Sequence, residues 1–172
     1  MKKHQVSLGL INPKSPDNVG SVLRAAANYG ADQVFYTGNR YPRAIERKAR
    51  VVDMSRKVSK DVPISQQDCL IDAVTKNMKI VCVEFALNAT PLPEFEHPEN
   101  ALYIFGPEDG SIDQAIIDQA DDVVYVPTVG CMNLSASVNV LLYDRLVKAG
   151  NYDASNTSIR ENRDTNNRLK VL

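Results

Sequence analysis

Three polar loops contain the residues of this 172-residue chain that could do chemistry. The first loop, residues 12–20 (NPKSPDNVG), leads into a helical pattern that contains Arg24. Asp17 or Asn18 is predicted to cap this helix, because a short polar side chain accepts hydrogen bonds from the first free backbone N–H groups. Asn18 and Arg24 near the positive end of a helix would suit binding of a phosphate or a carboxylate. A capped helix with a surface arginine would explain the same residues without a ligand.

The second loop spans residues 106–111 (GPEDGS), and the third spans residues 127–133 (PTVGCMN). Glu108 in the second loop is a carboxylate that could accept hydrogen bonds from neighbouring backbone N–H groups. This loop lacks the glycine spacing of the dinucleotide-binding fingerprint and of the P-loop, so neither phosphate-binding mechanism is indicated. Asn133 in the third loop could cap the apolar helix that follows or line a pocket. Cys131 is interpreted as soft apolar lining, because no histidine close to it in sequence could activate it as a nucleophile.

Short apolar runs alternate with amphipathic runs along the chain, which predicts an α/β fold with a parallel sheet and helices on both faces. Strands are predicted at 5–11, 33–36, 79–85, 101–105 and 122–126, and helices at 19–29, 66–76, 112–119 and 135–148. Each of the three polar loops follows a strand. Because ligands bind outside the carboxyl ends of the strands in open parallel sheets, we expect the three loops to form one pocket.

The chain is expected to be one domain, residues 1–150, with a polar tail, residues 151–172. The tail is predicted to be disordered or to form a weak helix that opens at Ser158, with Glu161 three residues on. No apolar run approaches the ~18 residues of a membrane span, and no signal-peptide pattern is present. We therefore expect a cytoplasmic protein without a membrane partner. Three distant cysteines and two histidines lack the spacing of metal ligands, so no metal is expected.

Basic side chains are concentrated in residues 39–60. This segment has eight basic and two acidic residues, a net charge of +6, whereas the other 150 residues carry a net charge of −7. Such asymmetry indicates a surface that binds a polyanion. A solvated, salt-bridged helix would have the same composition.

The three loops in their order and spacing resemble a known family. The segments SPDNVGSVLRAAANYG, FGPEDGSI and VPTVGCMNLSASVNVLLYD are similar to the three motifs of the TrmH/SpoU family of RNA ribose 2′-O-methyltransferases, of the SPOUT class. The likeness extends over about residues 5–148 and is greatest to the small single-domain members that modify the tRNA wobble position. It implies a C-terminal trefoil knot in the sheet, a homodimer, S-adenosylmethionine as methyl donor, and tRNA or rRNA as substrate.

The resemblance also implies roles for individual residues. Asn18, Arg24 and Asn133 match catalytic positions, and Arg24 would act on the cofactor held by the partner subunit. Positions that bind the cofactor are matched by Val83, Glu84, Gly106, Glu108, Val126, Cys131, Met132 and Leu134. The basic segment would then bind RNA, through Arg40, Arg43, Arg47, Lys48 and Arg50.

Two positions depart from the family pattern. The glycine of the second motif stands one place early, as Gly110 before Ser111, and Cys131 replaces the usual serine of the third motif. If that serine acts through its hydroxyl, we expect weaker activity or a different RNA target. Cys131 also supports an alternative, a non-catalytic RNA-binding dimer that keeps the fold. A further alternative is a small-molecule enzyme with a nucleotide cofactor, against which the missing phosphate-loop motifs count.

Overall fold

The computed structural model describes residues 4–48 and 62–171, except for the side chain of Lys48. The strands are β1 Val6–Leu10, β2 Gln33–Tyr36, β3 Ile64–Gln66, β4 Lys79–Val83, β5 Thr90–Pro91, β6 Ala101–Phe105 and β7 Asp122–Tyr125. The α-helices are α1 Pro16–Asn28, α2 Arg40–Lys48, α3 Gln114–Ile117, α4 Leu134–Ala149 and α5 Asn156–Asn162. Short 3₁₀ turns lie at Ile71–Ala73 and Leu92–Glu94.

The seven strands form one sheet in the order β3-β2-β1-β6-β4-β7-β5, and every neighbouring pair is parallel. Leu8 of β1 lies beside Val34 of β2 and Tyr103 of β6. All residues of β1 and β6 are buried, as expected for central strands of a parallel sheet covered on both faces. The predicted α/β class and parallel sheet are therefore confirmed.

Two hydrophobic cores cover the two faces of the sheet. Along β6, Tyr103 packs on the face that α1 and α4 cover, while Leu102 and Ile104 pack on the other face. This alternation follows from the two-residue period of a strand. Helices α1 and α4 also pack against each other, which joins the first polar loop to the helix that follows the third.

The helix predicted at 66–76 is wrong. β3 ends at Gln66, and the rest of this segment is irregular apart from the 3₁₀ turn Ile71–Ala73. Leu70 is almost fully buried in the second core, and its side chain packs so closely over Gly9 that a Cβ there would lie 3.0 Å from the leucine Cδ1. Pairing of β3 with β2 and burial of Leu70 thus outweigh the local helical pattern.

Two predicted helix starts are also wrong. Ser15, not Asp17 or Asn18, caps α1, and its hydroxyl accepts the N–H of Asn18 at 3.3 Å. Pro16 is the first helical residue, where its fixed φ suits a helix and its missing N–H costs nothing. In the tail, α5 begins before Ser158, because Ser155 caps it by accepting the Ser158 N–H at 3.1 Å.

The remaining predicted strands and helices have ends within about three residues of the observed ones, and β5 was not predicted. The trefoil knot stays a prediction. No helix in the described part of the chain is long and apolar enough to cross a membrane.

Candidate functional site

A cleft of about 290 Å³ lies at the carboxyl ends of β4, β6 and β7. The second and third polar loops form two of its walls, and the end of β4 forms its floor. The first loop contacts the other two but contributes none of the lining residues. The expectation of one pocket formed by all three loops is therefore corrected: β4 lies between β6 and β7, whereas β1 lies on the far side of β6.

All residues matched to cofactor positions line this cleft: Val83, Glu84, Gly106, Glu108, Val126, Cys131, Met132 and Leu134. Their role in binding a cofactor stays a prediction. The sequence interpretation missed further lining residues, among them Phe85 and Tyr125, whose rings meet edge to face at 5.3 Å. Their positions at the ends of strands that precede the cleft are the signal that could have identified them.

Glu108 joins the second loop to the first. Its carboxylate accepts hydrogen bonds from the backbone N–H groups of Lys14 (2.8 Å) and Ser15 (3.0 Å), and from the Asn18 amide Nδ2 (3.2 Å). Partial burial by itself raises the pKa of Glu108, but these hydrogen bonds to the charged form together lower it by more, so the net shift is downward. Glu108 is therefore a carboxylate that fixes the loop, although these backbone donors lie in the first loop and not next to it in sequence, as was predicted.

Asn133 extends this network to the third loop. Its Oδ1 caps α4 by accepting the N–H groups of Ser135 (2.9 Å) and Ala136 (3.4 Å), and its Nδ2 donates to Asn18 Oδ1 at 3.1 Å. Glu108, Asn18 and Asn133 thus form one hydrogen-bonded chain across all three polar loops. We call it the loop network.

Glu84 holds the second loop from the floor of the cleft. Its carboxylate accepts the backbone N–H of Ile112 at 2.9 Å and that of Phe85 at 2.9 Å. A Cβ on Gly106 would lie 3.3 Å from Glu84 Oε2 and 3.3 Å from Ile112 Cγ1, which is tighter than most van der Waals contacts. Glycine at 106 therefore allows the loop to approach this carboxylate closely.

None of the three predicted catalytic residues lines the cleft, and Arg24 is the one that also lies outside the loop network, to which Asn18 and Asn133 belong. It lies six residues after Asn18 on α1, which places it about 9 Å along the helix axis and on another face. Gly20, Arg24 and Asn28 instead form an exposed face of α1. Within the described residues the Arg24 guanidinium has no ion pair or hydrogen bond. Within one subunit it therefore lies apart from the loop network.

The basic residues of α2 differ in their surroundings. Arg40 donates two hydrogen bonds to Asp109 of the second loop, at 2.7 and 2.8 Å, and lies in an ion pair with it. The guanidinium lowers the pKa of Asp109. Arg43 and Arg47 are exposed. The Lys48 side chain and Arg50 lie outside the described residues.

The cysteines and histidines give no second catalytic centre. Burial raises the pKa of Cys82 to about 12, whereas Cys131 is exposed at the cleft. His97 is bonded on both ring nitrogens, to Tyr103 Oη at 2.8 Å and to Asp144 Oδ2 at 2.9 Å. In the part of the chain that the structure describes, no group of three or more potential ligands could hold a metal ion.

Known proteins match this chain in sequence and in fold. A curated tRNA (cytidine-2′-O-)-methyltransferase, TrmJ from Methanocaldococcus jannaschii, is 28% identical over 158 residues, covering 83% of this chain and 68% of that protein. The SpoU methyltransferase AviRb from Streptomyces viridochromogenes, solved with AdoMet, superposes with a TM-score of 0.69 at 17% identity, covering 88% of this chain. This chain spans only 60% of the AviRb chain.

A solved structure concerned with 2′-OH methylation of C/U34 on tRNA has a TM-score of 0.67 at 19% identity, covering 87% of this chain and 94% of that one. At these identities the solved structures establish a shared fold. The family model described as the SpoU rRNA Methylase family matches residues 5–143, which include the cleft and the whole loop network. The chain therefore belongs to the SpoU rRNA methylase family.

Proposed function

We propose that this protein transfers a methyl group from S-adenosylmethionine to the 2′-hydroxyl of a ribose in tRNA or rRNA. The observation that carries the proposal is the cleft at the carboxyl ends of β4, β6 and β7, whose walls the loop network holds together. The family match and the printed activities of TrmJ and of the C/U34 structure support the same reaction class.

The lining of the cleft suits this cofactor. Val83, Val126 and Leu134 offer apolar surface for an adenine ring, and Met132 lies beside them. Glu84 in the floor and Glu108 in a wall contribute carboxylates to the lining, and negative charge there favours a ligand with positive charge. The volume is close to the lower end of the ~300–1,000 Å³ of small-molecule sites. When bound, S-adenosylmethionine supplies a methyl group already activated on a sulfonium.

The residues of this chain then have to position the ribose and stabilise charge. The loop network holds the three loops in one arrangement, and a fixed geometry supplies a large part of the acceleration for an activated donor. The new carbon–oxygen bond would form while the carbon–sulfur bond to the methyl group breaks, which leaves S-adenosylhomocysteine. The 2′-hydroxyl proton passes to solvent, and negative charge develops on the oxygen before the new bond is complete. A guanidinium is not a proton acceptor in proteins, so the role proposed for Arg24 is to hold a neighbouring phosphate and stabilise this charge.

A homodimer belongs to the proposal, because Arg24 lies apart from the cleft of its own subunit. Its exposed face on α1 is available to a second copy of the chain. Val140, Tyr143 and Val147 also leave exposed apolar surface along α4, the helix that packs on α1. Such exposed apolar strips mark interaction sites. Arg24 of one subunit would thus act at the cleft of the other.

The remaining parts of the proposal concern RNA binding and organisation. Arg43 and Arg47 on the exposed side of α2 would contact RNA phosphates.

Residues 1–150 would form the catalytic domain, and residues 151–172 an appendage, since α5 buries none of its residues. The cytoplasm, where tRNA and rRNA act in translation, would be the location. A non-catalytic RNA-binding dimer is the second candidate, because Cys131 replaces a family serine in the cleft.

The test is transfer of radiolabelled methyl groups from S-adenosylmethionine to RNA from cells that lack this protein, followed by nucleoside analysis. We expect a labelled 2′-O-methylnucleoside. Arg24→Ala should abolish transfer while leaving cofactor affinity nearly unchanged. Lys76→Ala is the matched control, because this exposed lysine precedes β4 at the opposite end of the sheet. RNA binding without any transfer would favour the non-catalytic candidate, and label on a base would refute the proposed acceptor.

A further inference from the structure

Three carboxylates hold the second polar loop from three sides. Glu84 accepts a hydrogen bond from the backbone N–H of Ile112, just after the end of this loop. Glu108 accepts hydrogen bonds from backbone N–H groups of the first loop. Asp109 points the other way, to Arg40 at the start of α2, and lies 3.7 Å from Lys14 Nζ. Asp109 and Gly110 also line the cleft. The Arg40 contact therefore gives the wall formed by residues 106–111 a further attachment, on the side that faces α2.

The segment that carries Arg40 is itself held in place. Gln66 Nε2 at the end of β3 donates to the Gly38 carbonyl at 2.9 Å and to Asn39 Oδ1 at 3.3 Å. Gly38 has a φ of +74°, and a Cβ on it would overlap the side-chain amide of Asn12. Only glycine fits such close contact with the first loop. Arg40 is thus presented to Asp109 from an anchored turn and not from a free helix end.

The ion pair between Arg40 and Asp109 uses both terminal nitrogens of the guanidinium. Both terminal nitrogens of Arg40 donate to the two carboxylate oxygens of Asp109, and 32% of the arginine side chain is exposed. A planar guanidinium in this bidentate arrangement is oriented as well as charged. The neighbouring cations Arg43 and Arg47 have no such partner among the described residues. Charge counting along the sequence groups the three arginines together, whereas the structure separates Arg40 from the others.

We propose that Arg40 is a positioning residue for cofactor binding: it holds Asp109, and with it the wall formed by residues 106–111, in the conformation that completes the cleft. This inference rests on the proposed function, and it replaces the RNA-binding role predicted for Arg40. Arg43 and Arg47 keep that role.

The test measures affinity for S-adenosylhomocysteine by calorimetry, without RNA. Arg40→Ala should weaken binding about fivefold, the effect expected for loss of a well-oriented exposed ion pair. Arg43→Ala, the matched control one turn further along α2, should leave this affinity unchanged and weaken RNA binding instead. In steady-state assays, Arg40→Ala should raise KM for S-adenosylmethionine and leave both KM for RNA and kcat unchanged.

A double-mutant cycle separates the pair from other effects of Asp109. Asp109→Asn and the double variant Arg40→Ala with Asp109→Asn should bind S-adenosylhomocysteine equally, because the first change already removes the interaction. Exchanging the charges, with Arg40→Asp and Asp109→Arg together, should restore part of the affinity. Urea denaturation would show that each variant is folded.

The inference is overturned if Arg40→Ala binds S-adenosylhomocysteine as the wild type does. It is equally overturned if this variant weakens RNA binding to the same extent as Arg43→Ala. Failure of the proposed function looks different, since the wild-type protein itself would then bind no S-adenosylhomocysteine, and the inference would fall with it.

Discussion

Substitutions of Asn133 test the loop network directly, because the oxygen and the nitrogen of its side-chain amide make separate contacts. The amide oxygen caps α4, and the amide nitrogen donates to Asn18 at 3.1 Å. Serine is as good a cap as asparagine, but its hydroxyl is too short to reach Asn18 while it caps the helix. Asn133→Ser should therefore keep the cap and break the network, whereas Asn133→Ala should remove both.

The magnitudes follow from these contacts. Losing the cap in Asn133→Ala should cost about 1 kcal/mol in free energy of unfolding. For a chain of this size that lowers Tm by roughly 2–4 °C. Asn133→Ser should stay within about 0.5 kcal/mol of the wild type, as for most substitutions that keep local interactions. Both variants should lose methyl transfer by roughly 10- to 100-fold, because a small displacement of positioned groups is costly in rate.

The assay combines urea denaturation with the radiolabelled transfer reaction. Ser155→Ala is the control, since it removes the cap of α5, which buries no residue, and so should leave both global stability and transfer unchanged. Wild-type transfer by Asn133→Ser would refute the role of the Asn133–Asn18 hydrogen bond. Equal stability of Asn133→Ala and wild type would refute the argument about the cap.

Three further predictions concern titration, RNA binding and thiol reactivity. Burial lowers the pKa of His97 more than Asp144 raises it, and Arg145 and Lys148 lower it further. The folded state then binds fewer protons than the unfolded state, so the free energy of unfolding should fall as pH drops below about 6.5. Denaturation at several pH values should show that His97→Gln makes the free energy of unfolding less dependent on pH. Replacing Arg43 and Arg47 together by alanine should reduce the slope of log affinity for RNA against log salt by roughly 1.5, and an unchanged slope would contradict their contact with phosphates. Iodoacetamide should modify the exposed Cys131 well before the buried Cys82, as peptide mass analysis would show. Saturating S-adenosylhomocysteine should slow modification of Cys131, and equal rates with and without this ligand would contradict the placement of Cys131 in the cleft.

Local patterns predicted the parts of the fold that depend on neighbours in sequence. The alternation of apolar strands and amphipathic helices predicted a parallel sheet, and strands such as β2 and β6 were predicted with their observed ends. The cap at Asn133 was also predictable, because it follows from residue type at a strand–helix junction. The partners of Glu108 were not, because the N–H groups whose hydrogen bonds it accepts belong to Lys14 and Ser15 in another loop. The helix expected at 66–76 failed because Leu70 is buried against Gly9, a contact that no local period encodes.

The sequence by itself determined that three polar loops follow parallel strands and lie at one edge of a sheet, and its motifs indicated the family. The tertiary structure decided which loops line the cleft, because the strand order places β4 between β6 and β7 and leaves β1 outside. It also decided that Arg40 pairs with Asp109, 69 residues away, while Arg43 stays exposed. The physical reason is that sequence spacing reports which side chains share a face of one element, whereas charge pairs and clefts depend on which elements become neighbours.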